Sequence, residues 1–177
     1  LNQLKVHITI LSNATQFADN SMVERLKTVI DVSRCNVVTA IHSADCEIHD
    51  RLTGSEGSFN ETLTGLNNLV TAGIPLCIKN IINGMNYEKL DEFADFIIDT
   101  FPPKVEVQFC VMDYSGRAAK NLELLAVDFR TIEAHLEKAL DIFETKECER
   151  MRKISIIESP LCMIDPYYWK YFERTCN

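Results

Sequence analysis

Five short runs of β-branched and apolar residues punctuate the chain: 5–11 (KVHITIL), 37–42 (VVTAIH), 75–82 (PLCIKNII), 105–112 (VEVQFCVM) and 153–157 (KISII). Runs of this length and composition predict strands. Between them, apolar residues recur at helical spacing. Met22, Leu26, Val29 and Ile30 form one stripe, Phe59, Leu63, Leu66 and Val70 a second, Leu90, Phe93, Ile97 and Phe101 a third, and Ile132, Leu136, Leu140 and Phe143 a fourth. Each stripe is the core face of an amphipathic helix. Ser21-x-x-Glu24 and Ser58-x-x-Glu61 read as capping boxes at two helix starts. Gly73 reads as a stop after the second helix, Asn86 as a cap for the third, and Pro102-Pro103 as the block that ends it.

Strands alternating with helices of this length need crossover connections, so the expected class is α/β with a parallel sheet. Periodicity alone leaves a barrel and an open sheet both possible. Polar residues crowd just after the strands, as Ser12-Asn13, Ser43-Ala44-Asp45 and Asp113-Tyr114-Ser115-Gly116-Arg117. In either architecture that carboxyl edge is where ligands bind. The connection 113–127 is long enough to suggest a functional loop. After Ser159-Pro160 the chain turns aromatic, which places a boundary between a domain at 1–159 and an extension at 160–177.

Composition narrows the function classes. A length of 177 residues with 46% hydrophobic residues suits one domain with a real core. A net charge of −8 gives no basic footprint for nucleic acid or an anionic membrane. No stretch approaches the roughly 20 apolar residues of a membrane span, and the start lacks a signal-peptide pattern, so a cytoplasmic protein is expected. The first residue is Leu and a core strand follows almost at once, so the chain is expected to be a fragment whose upstream sequence has been lost. Seven cysteines, an odd number with no CxxC pair, argue against a disulfide scaffold. Cys77 and Cys110 lie in strand-like runs and read as buried thiols acting as small hydrophobes.

Between residues 40 and 96 several short motifs follow one another: AIHSADCEIHDRLTGSEGSF, then TLTGLNNLVTAGIPLCIKNIINGMN, then YEKLDEFADF. In this order and spacing the stretch resembles the radical S-adenosylmethionine enzymes, in particular their peptide-modifying branch. The resemblance runs from the strand before Ser12-Asn13 to Gly116-Arg117-Ala118. It implies a partial parallel β/α (TIM-like) barrel, with strands three to six of the family's core at 5–11, 37–42, 75–82 and 105–112. It also implies S-adenosylmethionine as cofactor, a 4Fe-4S cluster held by a CxxxCxxC loop, a reductant protein, and a peptide or small-molecule substrate from which a 5′-deoxyadenosyl radical takes a hydrogen atom. No CxxxCxxC occurs in the sequence. The cluster loop is therefore expected upstream, and the fragment by itself is expected to be inactive.

The resemblance also assigns residues. Ser12-Asn13-Ala14 stands where the family has Thr-Asn-Gly facing the cofactor; an ordinary strand-to-helix turn explains the same residues. Ser43 is a candidate contact to the cofactor's ribose or carboxylate, although the family's usual serine aligns with Ala40. His42 also fits a structural histidine, and His49-Asp50, Thr53-Gly54 and Gly57-Ser58-Phe59 fit a loop and helix start. Lys79, a charge inside a strand, is costly to bury without a partner. The resemblance gives it the carboxylate of the bound methionine part, while a salt bridge to an acidic residue on a neighbouring strand is the alternative. Asn86 matches a family asparagine near the cofactor. Asp113 and Arg117 follow the sixth strand as substrate-binding candidates. Cys162 and Cys176 are either auxiliary-cluster ligands or buried thiols, since two thiols do not close a cluster site. Two rival functions stay open: a non-catalytic barrel remnant used as a binding domain, and an unrelated β/α-barrel enzyme with a phosphorylated substrate, for which no Gly-rich phosphate loop is present.

Overall fold

In a computed structural model of the chain, residues 6–147 and 152–173 are described. Aspartates set where the helices begin. Asp19 accepts from the Ser21 N–H ahead of α1 (Asn20–Val29), Asp45 from Glu47 and Ile48 ahead of α2 (Cys46–Thr53), and Asp128 from Arg130 ahead of α6 (Phe129–Lys146). Each carboxylate satisfies N–H groups that the first helical turn leaves orphaned. The capping boxes expected at Ser21 and Ser58 do not form. Asp19, two residues earlier, takes the acceptor role from Ser21. At α3 (Ser58–Thr71), Asp50 near the end of α2 takes it from Ser58, accepting from Gly57 N at 2.6 Å, Phe59 N at 2.7 Å and the Ser58 hydroxyl at 2.9 Å.

Asp50 thus joins two helices through a stretch read from sequence only as a loop and helix start. Helix α2 escaped detection because its few apolar residues make a thin stripe. Gly73 ends α3 as expected, with hydrogen bonds from Gly73 N to Val70 O and from Ile74 N to Leu69 O. Helix α4 (Leu90–Thr100) stops before Pro102. The connection after residue 113 holds a 3-10 turn at Ala118–Lys120 and the four-residue helix α5 (Leu122–Leu125), whose Leu125 carbonyl accepts from Gly84 N at 2.8 Å.

All five expected strands form: β1 (Ile8–Leu11), β2 (Cys35–Ala40), β3 (Leu76–Ile82), β4 (Glu106–Val111) and β5 (Ile154–Ile156). They pair in parallel in the order β1-β2-β3-β4-β5. Parallel crossovers are right-handed, so an order that never doubles back puts the helices on one face. Burial along the strands agrees. Val37, Ile78, Ile82, Val107, Phe109 and Ile156 join α1, α3, α4 and α6 in the core, with Phe109 edge-on to both Phe93 and Phe143. Val38, Ala40, Cys77, Ile81 and Cys110, on the opposite face, lie outside that cluster. The fold is α/β, with a five-stranded parallel sheet in an order compatible with part of a β/α barrel.

At the amino edge of the sheet, Arg152 is fully buried against Glu147 at 2.7 Å and donates to the carbonyls of Phe101, Pro102 and Val105. The aromatic tail packs on α6. Tyr167 and Tyr171 donate to Glu144, and Tyr168 donates to Asp141. Among the described residues no helix is long and apolar enough to cross a membrane.

Candidate functional site

The carboxyl edge of the sheet begins with the turn after β1. Ser12 N extends the ladder to Val38 O, the Ser12 hydroxyl accepts from Ala14 N at 3.0 Å, and Asn13 Oδ1 accepts from the Thr15 hydroxyl at 3.1 Å. Ala14 is left-handed, with φ 61, and fully buried. Helix α3 holds this turn from behind. The Thr62 hydroxyl donates to Asn13 O, Asn68 Nδ2 donates to Phe17 O and Ala18 O, and a Cβ at Gly65 would overlap the Ala14 carbonyl.

After β2 and β3 a second group gathers around the His42 carbonyl, which accepts from Asn86 Nδ2 at 2.6 Å and Asn80 Nδ2 at 3.2 Å. Asn86 also accepts from Asn83 N and donates to Ile81 O. This corrects the helix-cap reading of Asn86, whose side chain makes no capping bond. Buried and pointed back at two strand ends, it ties β2 to β3. Ser43, also buried, accepts from Asp45 N at 3.1 Å, and Asp45 pairs with Lys89 at 2.9 Å. His49 packs beside His42, ring centroids 5.5 Å apart, and its Nδ1 accepts from His42 N. Burial, together with the neighbouring His49, pushes the His42 imidazole down to about 4, so it is neutral near pH 7.

The third group stands on the helix-free face. Lys79 lies between Ala40 and Gln108 in sheet register. Its ammonium pairs with Glu158 at 3.1 Å; the partner is acidic, as one of the two expectations had it, but comes from the segment just after β5, two strands away, and not from a neighbouring strand. Burial works against the Lys79 charge, but the Cys110 sulfur and the Glu158 carboxylate beside it raise its pKa above the ordinary lysine value. Burial also raises the Cys110 thiol, so near neutral pH the sulfur is uncharged, and the side chain that pairs with Lys79 is that of Glu158. These three line a cavity of about 850 Å³ with Ile81, Asp113, Tyr114 and Phe129. That volume lies within the range of roughly 300–1,000 Å³ typical of small-ligand sites.

The residues singled out from sequence therefore fall into three groups along one edge. Lys79 and Asp113 share the cavity, where Asp113 accepts from the Ser115 hydroxyl at 2.9 Å. Arg117 is exposed beside the cavity's Ala118 and is not part of its lining. Cys162 is an exposed free thiol, and Cys176 lies outside the described residues. Sequence reasoning missed Glu158, Cys110 and Tyr114 as cavity residues. Glu158 carried the same signal as the others, a polar residue directly after a strand. Cys110 carried a weaker one, since it shares strand parity with Gln108, the neighbour of Lys79.

The arrangement offers one half-buried ammonium for a ligand carboxylate, an apolar wall for a flat or aliphatic group, and a mouth bearing Asp113 and Glu158. The set suits a small ligand that brings a carboxylate. Among the described residues no three His, Cys, Asp or Glu side chains come together as metal ligands. No protein-family model and no curated protein matches the sequence.

Proposed function

We propose that this chain belongs to a radical S-adenosylmethionine enzyme acting on a peptide, and forms part of its β/α barrel. The placement of Lys79 carries the reading: a lysine in the middle of a parallel sheet, on the face without helices, opening into a cavity of small-ligand size. Two further features support it. Parallel strands form close to the runs at which the resemblance expects them, and Ala14, at the motif's glycine position, has the left-handed backbone that glycine adopts most readily.

In this reading Lys79 holds the carboxylate of the methionine part, and the turn at Ser12 and Asn13 and the His42–Ser43 segment border the rest of the cofactor. When bound, S-adenosylmethionine and a 4Fe-4S cluster supply the radical chemistry of the family. The chain's own residues bind and orient the cofactor and exclude water. Asp113 at the cavity mouth, with Arg117 beside it, faces the side from which substrate would enter.

The test is anaerobic iron–sulfur reconstitution of the full-length protein, followed by reduction with dithionite in the presence of S-adenosylmethionine and assay of 5′-deoxyadenosine. Production of 5′-deoxyadenosine is the expected result. If no cluster assembles, the reading falls and a non-catalytic binding domain takes its place.

A further inference from the structure

Glu158 is held in a way that its role as a simple surface partner does not explain. Its backbone is left-handed, with φ 52, a conformation that residues with a Cβ adopt only where the surroundings enforce it. The enforcement is visible on both sides. Ile157 N donates to Phe109 O at 2.9 Å, and the Ser159 hydroxyl donates to Ile157 O while accepting from Val111 N. The backbone is thus pinned to β4, while the Glu158 side chain is 71% exposed and reaches to a Lys79 side chain that is only 23% exposed. A fixed backbone delivers a largely exposed carboxylate to a sheltered cation at the wall of the cavity.

We infer that Glu158 is an internal carboxylate occupying the anion position beside Lys79, so that a ligand reaches the ammonium only by bringing a carboxylate that displaces it. This rests on the reading of the cavity as an S-adenosylmethionine site, with the methionine carboxylate as the incoming group. The exchange makes Glu158 specificity-determining. A ligand without a carboxylate leaves the pair intact and gains nothing from Lys79. One with a carboxylate takes the sheltered ammonium, and the displaced Glu158, already mostly in water, gives up little. With its carboxylate partner mostly in water the pair is screened on that side and holds weakly, so the competition is set to be overcome.

The experiment compares binding of S-adenosylmethionine and of 5′-methylthioadenosine, which lacks the carboxylate, to the full-length protein by equilibrium dialysis. Wild type is set against Glu158→Gln, which keeps the shape, and Glu158→Gly, which accepts the left-handed backbone if the Gln variant fails to fold. Both variants should bind S-adenosylmethionine about two- to five-fold more tightly and leave 5′-methylthioadenosine within about twofold of wild type. Unchanged or weaker S-adenosylmethionine binding, or equal tightening of both ligands, overturns the inference while leaving the cofactor site standing. Binding of neither ligand by wild type overturns the site reading, and this inference with it.

Discussion

The carbonyl oxygen of Ala14 fills the position that a Cβ on Gly65 would take, so that a single added methyl on α3 would overlap it. The contact, together with the Thr62 and Asn68 hydrogen bonds, fixes the turn after β1 from the helix side. Gly65→Ala should therefore cost about 1–3 kcal/mol through overpacking. It should also shift Ser12 and Asn13. Denaturant unfolding and S-adenosylmethionine affinity, measured on the same variant, read the two effects separately; a variant as stable as wild type would show that the turn relaxes freely.

Asp50 links α2 to α3, and its charge is what makes the link. Burial raises its pKa, but the bonds from Phe59, Gly57 and Ser58 together hold it below the ordinary carboxylate value. A carboxyl depressed in the folded state stabilises at pH values above its unfolded pKa, and that contribution is lost as pH falls through the folded pKa. Asp50→Asn should lower the melting temperature at neutral pH and leave a smaller loss on acidification than wild type shows. Parallel melting curves would contradict this.

The strands and the four long helices were legible because each carries its own period, two or 3.6, over enough residues. What was not legible depended on partners distant in sequence. Asp50 rather than Ser58 heads α3 because the chain folds back over seven to nine residues, and no capping pattern encodes that return. Cys110 read correctly as buried, but its nearness to Lys79 follows from the β3–β4 register, which a single strand does not state. Glu158 meets Lys79 across 79 positions. The identity of a helix cap, a cation's partner and a cavity's walls are tertiary facts, even where the residue types themselves point to the right edge of the sheet.

The Arg152 side chain has no exposure to water, and its guanidinium is used up by Glu147 and three backbone carbonyls. Arg152→Met fills much of the space but leaves the Glu147 carboxylate buried without its cation. Removing one partner of such a pair costs about 3–5 kcal/mol. Urea titration should show a loss of this size; a loss below about 1 kcal/mol would mean that Glu147 is re-solvated.

Acid should weaken the fold through His42. Its folded pKa, pushed down to about 4 by burial and by His49, lies below the unfolded value of about 6.5. The unfolded chain binds the proton first. Stability is full above about pH 6.5, falls as the pH drops toward about 4, and levels off below it. Between about pH 7.5 and 4.5 this one group accounts for ~2–3 kcal/mol. His42→Leu should flatten the profile by that amount, read as the difference between variant and wild-type unfolding free energies across the window. Identical pH profiles would place the imidazole in water.

Lys79 is the residue on which the proposed ligand site turns. Its ammonium is sheltered, and in the proposed site it meets a carboxylate through a charge-assisted hydrogen bond. Met matches the lysine stem and removes only the charge, so Lys79→Met should fold normally while binding S-adenosylmethionine about tenfold more weakly. Lys79→Arg keeps the charge at a different geometry and should recover part of that loss. The affinity for 5′-methylthioadenosine should not follow, because that molecule has no carboxylate for Lys79 to hold. If Lys79→Met binds S-adenosylmethionine as well as wild type, the lysine's business is with Glu158 alone, and the cofactor's carboxylate must be sought elsewhere along the edge, at Ser43 or Asn13.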